Sequence, residues 1–150
     1  MYFKINTAMS IIGPANDYPT NRESLMQYML LVHHDEEAFI KIDETRRQQM
    51  LDESVQLTHQ LHASNQYVSA SPLHPAATAA IVRVRDGQPT VTDGPFIETK
   101  EQLAGYFLIN AKDLNEAVRI AARVPGAHIG TVEVRPVKEI AGLPTSNGIG

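Results

Sequence analysis

Between Tyr28 and Val137 the spacing of apolar residues switches repeatedly between a period of about two and one of about 3.6, and the order of the switches leaves few folds open. Tyr28-Met29-Leu30-Leu31-Val32 is a short apolar run bounded by polar residues, the pattern of a strand buried on both faces. From Thr45 to His62, the residues Met50, Leu51, Val55, Leu57 and Leu61 fall mainly at helical spacing. Asp43 is placed to cap this helix, and Glu44 lies in its first turn, where the helix dipole favours negative charge. A turn at Asn65 and a short strand from Tyr67 to Ala70 follow, ended by the Pro72 to Pro75 loop. Thr78 to Arg85 alternates, with Ala80, Val82 and Val84 on one face and Ile81, Arg83 and Arg85 on the other. Asp86-Gly87 reaches positive φ at little cost, so Gln88 to Thr92 is expected to return as the second arm of a hairpin. Leu103 to Asn110 is the next strand. Asp113 then caps a second helix carrying Leu114, Ala117, Val118, Ile120 and Ala121, which stops before Pro125-Gly126, and Gly130 to Val137 is the last strand.

Strand, helix, strand, hairpin, strand, helix, strand is the split β-α-β pattern with an extra hairpin arm. The expected fold is therefore α+β: an antiparallel sheet with two helices on one face. Its other face would be bare, and a bare apolar sheet face drives association, so a homodimer packed sheet against sheet is expected. A chain of 150 residues is the size of one domain and can close a core unaided. The absence of cysteine excludes disulfides, thiolate metal sites and cysteine nucleophiles. A net charge of -4 with no basic run disfavours nucleic acid as a partner, and no stretch approaches the roughly 18 apolar residues of a membrane span. With no secretory pattern at the N-terminus, a cytoplasmic location is expected. Residues 1–25 read as an N-terminal extension, either an arm or sequence upstream of a start at Met26. Residues 26–140 form the domain and 141–150 a flexible tail.

Chemistry-bearing residues concentrate in Thr92-Asp93-Gly94-Pro95-Phe96-Ile97-Glu98-Thr99-Lys100-Glu101, where a strand end meets a Gly-Pro turn. This segment, with Gly105-Tyr106-Phe107, Val132-Glu133-Val134-Arg135-Pro136, the opening Tyr28-Met29-Leu30-Leu31 and Val82-Arg83 with Asp86-Gly87, resembles the DGPF-motif branch of the YCII-related proteins over residues 27–137. The resemblance implies a ferredoxin-like subunit that forms a dimeric α/β barrel. It implies little about activity: a His and Asp pair in a cleft has been suggested for the wider family, and some members are encoded beside alternative sigma factors.

Two functions stay open. One is a small-molecule-binding protein, or a cofactor-independent enzyme, with carboxylate and histidine acid-base chemistry in a barrel cleft lined by the sheet face and the Asp93 loop. The other is a regulatory or protein-interaction module linked to an alternative sigma factor. For the first, Asp93 and Glu98 are candidate bases on a constrained loop, beside the alternatives of a self-bonded Asx turn and a solvated Glu98–Lys100 pair. His33 and His74 are candidate acid-base partners because imidazole titrates near neutrality. Arg135, Tyr106 and Lys100 are candidates for binding a small anionic ligand. No cofactor and no metal site is assigned: His33-His34-Asp35 and the His59/His62 pair are more simply a strand end and a helix surface. No phosphate-cradling loop, nucleophile elbow or HExxH helix occurs.

Overall fold

A computed structural model describes residues 25–144; the N-terminal extension up to residue 24 and the tail from 145 lie outside the described residues. Strand β1 (Met26–His34) leads into a short helix α1 (Glu36–Ile40) and the long helix α2 (Glu44–Ala63). Then come β2 (Tyr67–Pro72), a 3-10 turn (Ala76–Thr78) and the hairpin strands β3 (Ala80–Arg85) and β4 (Gln88–Asp93). The chain closes with β5 (Gln102–Ala111), α3 (Leu114–Ala121), a second 3-10 turn (Pro125–His128) and β6 (Thr131–Pro136). Four strands form one sheet in the order β2-β5-β1-β6, every pair antiparallel, and β3-β4 form a separate two-stranded sheet. This is the α+β split β-α-β arrangement with an inserted hairpin.

Local chemistry accounts for the element ends. Asp43 accepts a hydrogen bond from Arg46 N (2.9 Å) and Asp113 one from Glu116 N (2.9 Å), each satisfying a donor that a helix start leaves orphaned. Asn65 (φ 60°), Asp86 (φ 50°) and Gly87 (φ 73°) take the left-handed conformations their turns need, and the tight Asp86-Gly87 connection sets Val82 opposite Val91.

One face of the sheet supplies Tyr28, Leu30, Val32, Phe107, Ile109 and Ala111 to the core. Leu57 and Leu61 of α2, with Ala117, Ile120 and Ala121 of α3, cover them. Both helices therefore lie on the same face. The intervening residues Met29, Leu31, Tyr106 and Leu108 point to the opposite face and are half-buried in the single chain. Helix α1 is not anticipated by the sequence pattern, and the helix capped by Asp113, α3, ends at Ala121, before Pro125-Gly126 as expected. Glu116 lies on the buried stripe of α3, where its carboxylate accepts from Gln66 Nε2; that pairing spans 50 positions and leaves no trace in local sequence. No helix among the described residues is long and apolar enough to cross a membrane.

Candidate functional site

Beneath the N-terminal half of α2 the sheet and helix part to leave a cavity of about 310 Å³, within the range of small-molecule sites. Its walls are mostly apolar. Val32, Ala70, Gly105 and Phe107 come from the strand ends, Met50, Leu51 and Val55 from α2, and Val124 and Ile129 from the segment before β6. Leu51 and Val55 are 46% and 48% exposed, which places them at the mouth. The spacing Arg47, Leu51, Val55 and, one turn over, Met50, Ser54, Thr58 is that of one helix face, so the stripe that closes the core further along also roofs the cavity.

Two nitrogen-bearing side chains that can carry charge enter this apolar lining. His34 follows Val32 by two positions on β1 and so stays on the helix side of the sheet. Asp35 caps α1 by accepting from Ala38 N (3.1 Å), and the single turn that results brings Phe39 back over the imidazole, with ring centroids 4.3 Å apart at 18°. Gln102 Oε1 accepts from Glu36 N (3.0 Å), and Glu36 Oε1 accepts from Ala76 N (2.7 Å), which holds the start of α1 against β5 and the first 3-10 turn. The His34 ring has no hydrogen-bond partner among the described residues. Burial pushes its pKa below the ordinary imidazole value, against the opposing pull of Glu36, Asp35 and Glu101. At neutral pH the ring is therefore uncharged and able to accept a proton.

The sign of the linkage follows. An imidazole whose folded pKa lies below its unfolded value of about 6.5 binds protons more readily in the unfolded chain. Stability contributed by neutral His34 is full above that value, is lost as pH falls through the window below it, and levels off once pH is under the folded pKa. His34→Gln is expected to flatten this part of the stability profile, checked by urea unfolding between pH 7.5 and 5. An unchanged slope would place the imidazole in water.

Arg47 is the second polar group of the lining, and it enters from the first turn of α2. Ser54 and Thr58 also line the cavity, but their hydroxyls donate to the helix carbonyls of Met50 (2.8 Å) and Val55 (2.6 Å) and offer only lone pairs to a guest.

The residues singled out in the sequence are distributed differently. Asp93, Glu98, Lys100 and His74 are exposed and do not line this cavity. The Asp93 loop is instead tied to the hairpin: Gly94 N donates to Ala79 O (2.6 Å), and Arg83 stands 5.4 Å over the Phe96 ring. His33 points away from its neighbour, with Nδ1 3.2 Å from Leu31 O. Arg135 is exposed and forms an ion pair with Glu133. Tyr106 is part of the cavity wall, but its side chain leaves toward the opposite face of the sheet, where the hydroxyl pairs with Ser69 Oγ (3.1 Å). The structure thus brings only Tyr106 of the seven candidates to the cavity, and adds His34, Phe39 and Arg47. Two signals carried His34 and Arg47: counting by twos from Tyr28 leads to His34 and not His33, and Arg47 is a cation on the apolar stripe of its helix.

Comparison with known proteins finds one family and one relative. The model of the YCII-related domain matches residues 26–141. An uncharacterized protein of Rhizobium meliloti is 43% identical over 79 residues, covering 47% of this chain, and the chain spans 64% of that protein's length.

Proposed function

The chain belongs to the YCII-related domain family, and from that footing we propose that it binds a small, largely apolar molecule in the helix–sheet cavity, with His34 as the group that exchanges a proton with it. One observation carries this reading: a neutral imidazole with no hydrogen-bond partner among the described residues faces an apolar space of about 310 Å³. A cavity of that size leaves apolar contacts unmade, and a guest that fills the space recovers them. Catalysis, where it occurs, is cofactor-independent proton transfer, His34 acting as base in its resting form.

The order of strands and the Asp93-Gly94-Pro95-Phe96 run support placing the chain in the DGPF branch of its family. The half-buried apolar residues Met29, Leu31, Tyr106 and Leu108 on the open sheet face support a homodimer through that face, which would set Arg135 near the junction. A regulatory or interaction module is the second reading. It draws on Val82, Val84 and Val91, which are exposed together on one side of the hairpin.

Screening a metabolite library by protein-observed NMR tests the cavity reading. Ala70 faces the cavity from β2, so Ala70→Phe puts a ring into the space. Hits are expected to weaken by roughly a hundredfold or more in this variant, the scale of a lost buried apolar contact set, while His34→Gln retains binding and loses any turnover. Hits that bind Ala70→Phe as well as the wild type would overturn the reading and favour the interaction module.

A further inference from the structure

The chemical class of the guest follows from the one permanently charged side chain in the lining. Among the described residues, Arg47 contributes the only charge in the lining that does not titrate near neutrality, and no Asp or Glu lines the cavity to neutralise it. Its Nε is fully shielded from solvent and has no hydrogen-bond partner among the described residues. The neighbouring Arg46 differs: its guanidinium reaches Glu53 at 3.1 Å on the exposed side of the helix. Arg119 Nε on α3 is likewise shielded and without a partner among the described residues, so what distinguishes Arg47 is that the rest of its side chain lines the cavity and Arg119 does not.

The position of Arg47 sharpens the point. It lies in the first turn of α2, where the helix dipole disfavours a cation, so the helix gains nothing electrostatic from it. A guanidinium held there without a carboxylate raises the positive potential at one end of an apolar space. Ser54 and Thr58 spend their hydroxyl protons on helix carbonyls and leave the donor role to the guanidinium. The neutral form of His34 adds at most one N–H. One fixed positive charge in the lining, with Asp35, Glu36 and Glu101 outside it at the His34 end and no second permanent cation, suits a monoanion better than a phosphate dianion.

Resting on the reading of the cavity as a ligand site, we propose that its ligand is a small apolar monocarboxylate, held by a charge-assisted pair with the Arg47 guanidinium while its hydrocarbon or aromatic body lies against Leu51, Val55 and Phe107. Arg47 is thus a binding residue that sets specificity, and His34, in the same cavity, faces the body of an already anchored anion.

The test compares carboxylates with neutral amides of the same shape: benzoate with benzamide, phenylacetate with phenylacetamide, hexanoate with hexanamide. The full chain is titrated with each by NMR, as wild type, Arg47→Met, Arg47→Lys and Ala70→Phe. The carboxylates are expected to bind wild type roughly ten- to a hundredfold more tightly than their amides, the usual worth of a charged hydrogen bond. Arg47→Met should reduce them to the amide level and Arg47→Lys should keep part of the preference. Without ligand, Arg47→Met should melt at the same temperature as wild type or higher, because it relieves an unpaired buried donor.

Equal binding of amides and carboxylates by wild type would overturn the carboxylate assignment and leave the cavity standing as a ligand site. A ligand-free melting temperature several degrees lower in Arg47→Met would make the residue structural and overturn the assignment too. If neither series binds wild type more tightly than Ala70→Phe, the assignment and the reading beneath it both fail.

Discussion

Leu30→Ala is expected to destabilise the protein by about 2–5 kcal/mol, enough to lower the melting temperature by roughly 10 °C in a domain of this size. Leu30 is at the centre of β1 and is wholly shielded from solvent. It pairs with Phe107 on one side and Val134 on the other, so its side chain sits where both helices meet the two middle strands of the sheet. Removing its side chain beyond Cβ forfeits the transfer energy of those carbons and leaves a void that close-packed neighbours fill only in part. Urea unfolding monitored by far-UV circular dichroism measures the loss. The neighbouring Leu31→Ala should cost clearly less, because that side chain points to the half-buried face. Equal losses at 30 and 31 would mean the second face is closed as tightly as the first.

The second large effect is expected from Gly130→Ala, which should destabilise by about 2–3 kcal/mol and displace the His34 end of β1. A Cβ at Gly130 would stand 2.1 Å from His33 O and 3.1 Å from His34 Cα, both backbone atoms of β1 that no rotamer change can clear. Strand β6 begins at the next residue, where Thr131 pairs with His33. The methyl group must therefore push the start of β6 away from the end of β1, which also carries the imidazole of the cavity. Loss of stability together with shifted His34 resonances is the expected result. A Gly130→Ala variant with wild-type stability and an unmoved His34 ring would show that the two strands are not in contact there.

The parts of this fold that are legible in the sequence are those decided by one residue and its immediate neighbours. Asp43 and Asp113 announce helix starts because a short acceptor one position ahead of the helix meets an orphaned N–H. Asp86-Gly87 announces a hairpin because few dipeptides accept two positive φ values. Contacts between distant segments are not legible. The apolar run Tyr28 to Val32 does not reveal that its alternate members Met29 and Leu31 remain half-exposed, since that depends on which face the helices choose. Glu116 reads as a surface residue until Gln66 is brought against it. Five residues of α1 carry too little periodicity to register.

Charge density and shelter from water point to different places, for a physical reason. Asp93, Glu98 and Lys100 stand out in the sequence, but these charged side chains at the base of a hairpin stay in water because even the loop's apolar members, Phe96 and Ile97, are exposed rather than packed over them. A site that alters the chemistry of its groups needs apolar walls, and those are found where the strand ends meet α2. His34 stands in a polar strand end and Arg47 in a polar helix start. Only their positions on the inward faces of β1 and α2 distinguish them.

Mapping amide shifts of the uniformly ¹⁵N-labelled chain on addition of phenylacetate tests the central claim most directly, because it locates the ligand without assuming a reaction. Perturbations are expected at His34, Arg47, Ala70 and Gly105, with the hairpin base from Asp93 to Lys100 and the Arg135 strand unchanged. Shifts confined to Asp93–Lys100 or to Arg135, with His34 and Arg47 silent, would contradict it and return the site to the exposed loop and the open sheet face.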